Sequence, residues 1–385
     1  MMAPYDKIKV GLVGFGIGKV YAAALKSVPL YYPDMPPVEL IGVATTSSEK
    51  AAQAVRRMGF EFGTTDYRQL LSNPEINTLL LAAPNRLHFS MLQAALETNK
   101  AILTDKPLTR TLDEAEQLIR QARQTGRNAQ IMFELRYCPA LQHAHHLIQE
   151  GRLGEIYSVR AEYFRSSYSN PAKPLRWKAS AAQGGGVLND LGSHMLDLIQ
   201  WLIGLPVRVN GQMRTYVPLR PVNHSGKELE RVETDDHSLV QLEFPGGSLG
   251  SLEVGRLVTG ATNDARLAIY GSQASLRWSV MDGNYLYLAE RENTIVLSGW
   301  QKIPTVQRYA DADLPGADFT AGFMRYIIAC LADFIRRSAS GQGYDPDLLA
   351  GANVQAILEA VERSARQSGW VEVSYPGLEN RTEPG

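Results

Sequence analysis

Asp190, His194 and Asp197 follow a run of three glycines, Gly184-Gly185-Gly186, and stand four and three residues apart. In a helix that spacing puts the three side chains on one face. A carboxylate and an imidazole one turn apart can move a proton to and from a bound hydroxyl, because imidazole changes charge near neutral pH. The glycines ahead of them let backbone or ligand approach closely. Leu188, Leu191, Met195, Leu198 and Leu202 repeat at intervals of three and four in the same segment, which gives the helix an apolar stripe to pack. By itself the polar stripe supports two readings, an acid/base station or a buried His–Asp pair whose members satisfy each other.

A second group lies near the N-terminus. Ile8–Val13 reads as a buried strand, Gly14-Phe15-Gly16-Ile17-Gly18 as a tight turn, and Val20–Ser27 as a helix. Strand, glycine turn and helix together present bare N–H groups to a pyrophosphate. The third glycine follows the second by two positions instead of three, with Lys19 where the dinucleotide fingerprint places it. Val38–Ala44 is the next strand and Ser48–Met58 the next helix. An NAD-binding strand normally ends here on an acidic residue for the ribose; this one ends Thr45-Thr46-Ser47-Ser48, which favours NADP over NAD.

Further apolar strands follow at Thr78–Ala82, Ala101–Thr104 and Ala129–Phe133, alternating with helices Phe89–Thr98 and Leu112–Thr125. That alternation predicts a parallel sheet covered on both faces, with ligands at the strand C-terminal ends. Pro84-Asn85 with His88, and Asp105-Lys106-Pro107, stand at two such ends. After residue 133 the pattern changes to Pro139–Glu150 as a helix and then alternating strands, with Pro245-Gly246-Gly247 as a hairpin turn. Helices 318–338 and 347–368 and a strand at 370–375 complete the chain, leaving a loose tail after Pro376. The expected architecture is α/β: a Rossmann domain over residues 1–133 and an α+β domain with a large, mostly antiparallel sheet over 134–385.

Composition narrows the partners. At 385 residues, two domains are the default expectation, and a net charge of −1 without long charged runs gives no electrostatic support to a nucleic-acid or membrane partner. Cys138 and Cys330 are far apart, which fits a reducing cytoplasm. The chain starts almost directly on its first strand, without a signal peptide, and its most apolar helix is interrupted by Arg325 and Asp333. The expected location is cytoplasmic. His143 and His146 could share a helix face, but no third metal ligand is evident, so no metal is expected.

Taken in order, the glycine turn, Pro84-Asn85-x-x-His88, Asp105-Lys106-Pro107 and G-G-G-x-L-x-D-x-G-x-H-x-x-D resemble the Gfo/Idh/MocA family of NAD(P)-dependent oxidoreductases. The run Glu233-Thr234-Asp235-Asp236 before a strand is also similar. The resemblance spans roughly Ile8 to Val373, with two departures: the shortened glycine turn, and Asp105 where the family has Glu. It implies a cofactor along the strand ends, held by Gly14, Phe15, Gly16, Ile17, Gly18, Thr45, Thr46, Ser47, Pro84, Asn85, His88, Asp105 and Lys106. It implies a sugar or cyclic polyol between the domains, and a homodimer or homotetramer built through the C-terminal sheet.

The implied reaction is hydride exchange between nicotinamide and a secondary hydroxyl or its ketone. His194 is then the acid/base and Lys106 polarises the reacting oxygen. Asp190 contacts the hydroxyl or fixes the histidine tautomer, Trp177 helps bind substrate, and Asp197 is scaffold. Two alternatives remain at this level: a regulator that binds NADP and a sugar without turnover, and a non-redox enzyme with tightly held NAD.

Overall fold

The computed structural model describes residues 6–291, 299–305, 309, 312 and 320–377. The chain forms two compact units, Met1–Tyr137 with Tyr309–Ala352, and Cys138–Arg308 with Asn353–Gly385.

The first unit is built on six strands, β1 (Ile8–Val13), β2 (Val38–Ala44), β3 (Phe62–Thr64), β4 (Thr78–Leu81), β5 (Ala101–Thr104) and β6 (Gln130–Ile131). They lie in the order β3-β2-β1-β4-β5-β6 and every pair is parallel. This is the doubly wound dinucleotide-binding order, in which ligands bind at the carboxyl ends where the strand order reverses, here at β1 and β4. The connecting helices are α1 (Gly18–Tyr31), α2 (Ser48–Met58), α3 (Arg68–Ser72), α4 (His88–Leu96) and α5 (Leu112–Thr125). Ser47 and Thr111 start α2 and α5 by accepting from the Lys50 and Glu114 N–H groups, and Gly59 and Gly126 end them in the left-handed conformation. β3 and α3 carry no periodic signal in the sequence, because both are too short to develop one. It had also ended the first helix at Ser27, whereas α1 continues through Pro29 to Tyr31 because Leu25 and Val28 are buried in the core beneath it.

The second unit holds α6 (Pro139–Gln149), β7 (Ile156–Phe164), α7 (Ser193–Leu202), β8 (Arg208–Arg214), β9 (Leu219–Pro221), β10 (Leu229–Arg231), β11 (His237–Glu243), β12 (Leu249–Gly255), β13 (Asp264–Gly271), β14 (Ala274–Ser279), β15 (Tyr285–Glu290) and β16 (Gln301–Pro304). Next in the chain come α8 (Phe323–Ser340), which belongs to the first unit, then α9 (Leu348–Gln367), most of which lies in the second, and β17 (Val371–Glu372). Nine strands form one sheet in the order β16-β15-β14-β13-β7-β12-β11-β8-β17, in which only β7 and β12 run parallel. β9 and β10 pair separately as a two-stranded antiparallel ribbon.

The compact units do not divide at a single point in the chain. The chain passes into the second unit after Tyr137, and the segment from Tyr309 to Ala352 then returns to the first. Its helix α8 buries Ile327, Ile328, Leu331, Phe334 and Ile335 in the same core as Tyr21, Leu25 and Val28 of α1. A sequence boundary drawn by change of pattern cannot see a helix that comes back to an earlier core. The expected start of the penultimate helix at Asp318 and the tail beyond residue 377 lie outside the described residues.

Candidate active site

In the first unit the glycines of the turn have different duties. Gly14 has φ +90°, and a Cβ there would stand 2.3 Å from the Ala82 carbonyl oxygen, so a side chain is excluded by the end of β4. Gly18 opens α1 against Leu12. A Cβ on Gly16 would meet nothing within 4 Å, which leaves open space beside the start of α1. Ile17, the residue before that helix, makes no side-chain cap to the first turn of α1. The shortened spacing therefore preserves the feature a pyrophosphate needs, an uncovered helix N-terminus behind an open glycine.

At the end of β2 the hydroxyls divide their work. Thr45 is buried and donates to the Ser47 carbonyl at 2.8 Å, while Ser47 accepts from the Lys50 N–H at 3.3 Å. Thr46 is exposed, and Lys50 Nζ donates to its Oγ1 at 3.3 Å. Two of the three expected contacts thus shape the turn, and Thr46 with Lys50 forms its outward-facing polar surface.

His88 lies inside the first unit. It is 1% exposed, with Nδ1 2.8 Å from the Pro107 carbonyl oxygen and Nε2 2.9 Å from that of Ala83. Each ring nitrogen faces a backbone carbonyl, and the N–H of a neutral ring donates to one of the two, so the histidine sits between the loop after β4 and the one after β5 instead of reaching outward. Asn85 lies in the short turn Asn85–Leu87 that leads into it and is also buried, after Pro84 in an extended conformation. Asp105 Oδ1 accepts from the Tyr21 phenol at 3.0 Å and from the Lys106 N–H at 2.9 Å. Its carboxylate is therefore used to fix the strand end, with Lys106 half-buried beside it. Burial, together with the nearby charges of Asp105 and Glu134, pushes the Tyr21 phenol well above its ordinary range.

In the second unit the predicted straight helix is broken into two parts. Leu188–Gly192 forms a wide π-turn, and α7 starts only at Ser193. The cause is local: Ser193 Oγ donates to the Asn189 carbonyl at 2.7 Å, taking the acceptor that Ser193 N–H would use in an α-helix, and that N–H reaches Leu188 O instead. Asp190 thus sits in the wide turn and His194 in the first turn of α7, so the single i, i+4, i+7 stripe does not hold. Such turns recur at functional sites because they re-aim side chains. Asp197 is buried one turn later and accepts from the Gln200 amide at 3.1 Å.

His194 is 6% exposed, its ring 5.9 Å from that of Tyr163 on β7 and tilted by 56°. His145 of α6 stacks flat on Trp201 of α7 at 4.3 Å. This gives one of the three histidines of α6 a packing role, while His146 pairs with Glu150 at the surface. Among the described residues no group of three His, Cys, Asp or Glu side chains could hold a metal ion.

The glycine run is read differently once its neighbours are seen. A Cβ on Gly185 would stand 2.5 Å from Lys178 O, and one on Gly186, at φ +110°, 2.5 Å from Asp235 Oδ1. The glycines admit backbone and a buried carboxylate. Asp235 accepts from the Val187 and Leu188 N–H groups at 2.9 and 3.0 Å and from Ser238 Oγ at 2.6 Å, so it caps the start of the π-turn. Its burial raises the carboxyl above the usual range, and those donors, with Arg256, pull it back.

What sequence spacing does not show is the partner of Lys178, whose Nζ lies 2.6 Å from Asp190 Oδ2. Trp177 next to it is over a third exposed, and its ring lies 5.5 Å from Lys178 Nζ. The signal was present, since Arg176-Trp177-Lys178 stands just upstream of the glycines, but spacing alone does not pair residues across a turn.

Comparison with known proteins agrees with this geometry. Residues 8–133 match the profile of the oxidoreductase family with an NAD-binding Rossmann fold, and residues 141–277 match the GFO/IDH/MocA C-terminal domain. A levoglucosan dehydrogenase of Pseudarthrobacter phenanthrenivorans is 29% identical over 96% of this chain and 98% of its own length. A solved levoglucosan dehydrogenase in complex with NADH and L-sorbose superposes with a TM-score of 0.92 at 29% identity, covering 96% of this chain and 99% of the other. A scyllo-inositol 2-dehydrogenase (NADP(+)) of Bacillus subtilis is 26% identical over 72% of this chain and 70% of its own length. On its two matched domains and its strand order, the chain belongs to the Gfo/Idh/MocA family of NAD(P)-binding oxidoreductases.

Proposed function

We propose that the protein is a dehydrogenase that exchanges hydride between NADP and a secondary hydroxyl, or the matching ketone, of a sugar or cyclic polyol. The observation that carries this reading is the open space at Gly16 beside the uncapped start of α1, on a sheet in dinucleotide-binding order. Relatives named for levoglucosan and scyllo-inositol support the substrate class. The nicotinamide would take or give the hydride, and the protein's residues manage one proton and hold the carbinol.

His194 takes that proton during oxidation and returns it during reduction, because imidazole exchanges protons near neutral pH. Asp190 holds the hydroxyl or the histidine tautomer. Lys106 polarises the reacting oxygen and offsets negative charge as it develops. Gly14, Phe15, Gly16, Ile17 and Gly18 cradle the pyrophosphate, Pro84 and Asn85 border the nicotinamide, and Trp177 offers a ring face to the substrate. His88 and Asp105 serve the same site from behind, by fixing the loops that carry Asn85 and Lys106.

NADP is favoured because the end of β2 offers no carboxylate to repel a 2′-phosphate, while the Lys50 ammonium stands on the exposed Thr46 hydroxyl. The solved relative with NADH makes this the point most open to test. A panel of sugars and polyols read at the nicotinamide absorbance, with NADP and NAD in parallel, should show turnover and a lower KM for NADP. No NAD(P)H formation from any member overturns the activity, and a preference for NAD overturns the cofactor choice.

The second unit's sheet supports assembly into a homodimer or homotetramer. Leu239 and Leu249 are 45% and 54% exposed on β11 and β12, with Arg160 and Arg266 exposed on β7 and β13, while alternate residues of the same strands are buried. Light scattering should give a mass of two or four chains. No described helix is long and apolar enough to cross a membrane. Both cysteines are buried, and burial raises the Cys330 thiol well above its usual value, which suits a reducing cytoplasm.

A further inference from the structure

The pairing of Lys178 with Asp190 is more than a surface contact, because the lysine's backbone is clamped. Lys178 O accepts from Gly186 N–H and from Arg256 Nη1, both at 2.9 Å. Arg256 is in turn fixed by Asp236, with Nε 2.8 Å from Oδ1 and side chains 5% and 0% exposed. Asp236 Oδ2 also accepts from the Tyr216 and Val217 N–H groups at 3.0 Å, anchoring the pair in the strand entry. The absent side chain of Gly185 is what allows Lys178 O to sit there. A buried ion pair thus holds the peptide of one residue, and that residue's ammonium reaches the Asp190 carboxylate in the wide turn before His194.

We propose that Lys178 is a positioning residue of the reaction, acting through Asp190: it fixes the carboxylate in rotation and keeps it an acceptor, so that the proton passes through His194. This rests on the reading of Asp190 and His194 as the acid/base pair. A charge-assisted bond restrains a carboxylate more than a neutral one does. The pair is partly exposed, at 31% and 20%, so it contributes little to folding and can be removed without unfolding the chain.

The test is a double-mutant cycle on the purified full chain with its cofactor, using Lys178→Met, Lys178→Arg, Asp190→Asn and the Met/Asn double variant. Lys178→Met should lower kcat by about ten- to a hundredfold, the size of a lost hydrogen bond to a charged group, with KM for the cofactor and Tm unchanged. Lys178→Arg should recover most of it. In the Asp190→Asn background the Lys178→Met effect should shrink to less than about threefold, because the two act as one unit. Near-wild-type kcat in Lys178→Met, or an equal loss in both backgrounds, overturns the role of Lys178 and leaves the dehydrogenase reading intact. Wild-type chain that forms no NAD(P)H overturns both. If Lys178→Met lowers Tm by many degrees, Lys178→Gln repeats the cycle and its coupling to Asp190→Asn decides.

Discussion

The phenol of Tyr21 donates to Asp105 Oδ1 at 3.0 Å and so joins α1, the helix behind the glycine turn, to the end of β5 that presents Lys106. The same oxygen receives the Lys106 N–H at 2.9 Å. One short carboxylate thus ties the cofactor end of the first unit to its proposed electrophile.

Tyr21→Phe keeps the packing and removes that donor. It should destabilise the protein by about 1–2 kcal/mol, because a half-buried carboxylate loses a hydrogen bond. It should also lower kcat several-fold with little change in cofactor KM, measured by thermal melts and initial rates side by side. An unaltered kcat would detach Asp105 from the placement of Lys106.

His88 makes the stronger prediction. His88→Ala removes a buried ring and leaves the carbonyl that accepts its N–H, Pro107 or Ala83 according to the tautomer, without that partner. A loss of about 2–4 kcal/mol is expected from cavity and unsatisfied acceptor together, visible as a lowered denaturation midpoint. Substrate kcat/KM should fall in the surviving folded fraction, since both loops beside Asn85 and Lys106 are freed.

The glycines of the turn should separate folding from binding. Gly14→Ala forces a side chain onto the Ala82 carbonyl at φ +90° and should destabilise by about 2 kcal/mol or more. Gly16→Ala meets no neighbour, so Tm should hold while affinity for the dinucleotide falls. Equal effects of the two on Tm would place Gly16 in the scaffold. Gly186→Ala should behave like Gly14→Ala, because its Cβ would strike Asp235 Oδ1.

At high pH the buried phenols set a limit. The pKa values of Tyr21 and Tyr137 are raised by burial from the ordinary value of 10.0, so their contribution to stability is complete below pH 10 and is lost as pH rises toward the folded-state values. Tyrosine ionisation should lag behind that of a free phenol and then appear together with loss of helical circular dichroism. Early, independent ionisation of all 17 tyrosines would contradict this burial.

Much of the fold is legible because strong periods coincide with clear punctuation. β2, α2, β5 and α5 fall on the boundaries that their apolar runs and caps predict. What escapes is whatever depends on a partner distant in sequence. α8 rejoins the first core through contacts with α1, some three hundred residues earlier in the chain. The π-turn arises from one serine hydroxyl that competes with its own N–H, a choice periodicity does not encode. Lys178 is paired with Asp190 only by the fold, and His88 is buried with both ring nitrogens facing backbone carbonyls, an environment set by loops that sequence does not place. Of the residues whose types and spacing suggest chemistry, Lys106 follows the end of β5 and His194 lies in the first turn of α7, whereas Asp190 lies in the wide turn ahead of that helix.

The proposed role of His194 as the group that moves the proton is tested most directly by His194→Ala. With NADP and the best substrate of the panel, kcat should fall by about a hundred- to ten-thousandfold, the range of general acid–base catalysis, while dinucleotide binding measured by fluorescence stays at the wild-type level. Turnover within a few-fold of wild type in a folded, cofactor-binding His194→Ala protein would contradict the account.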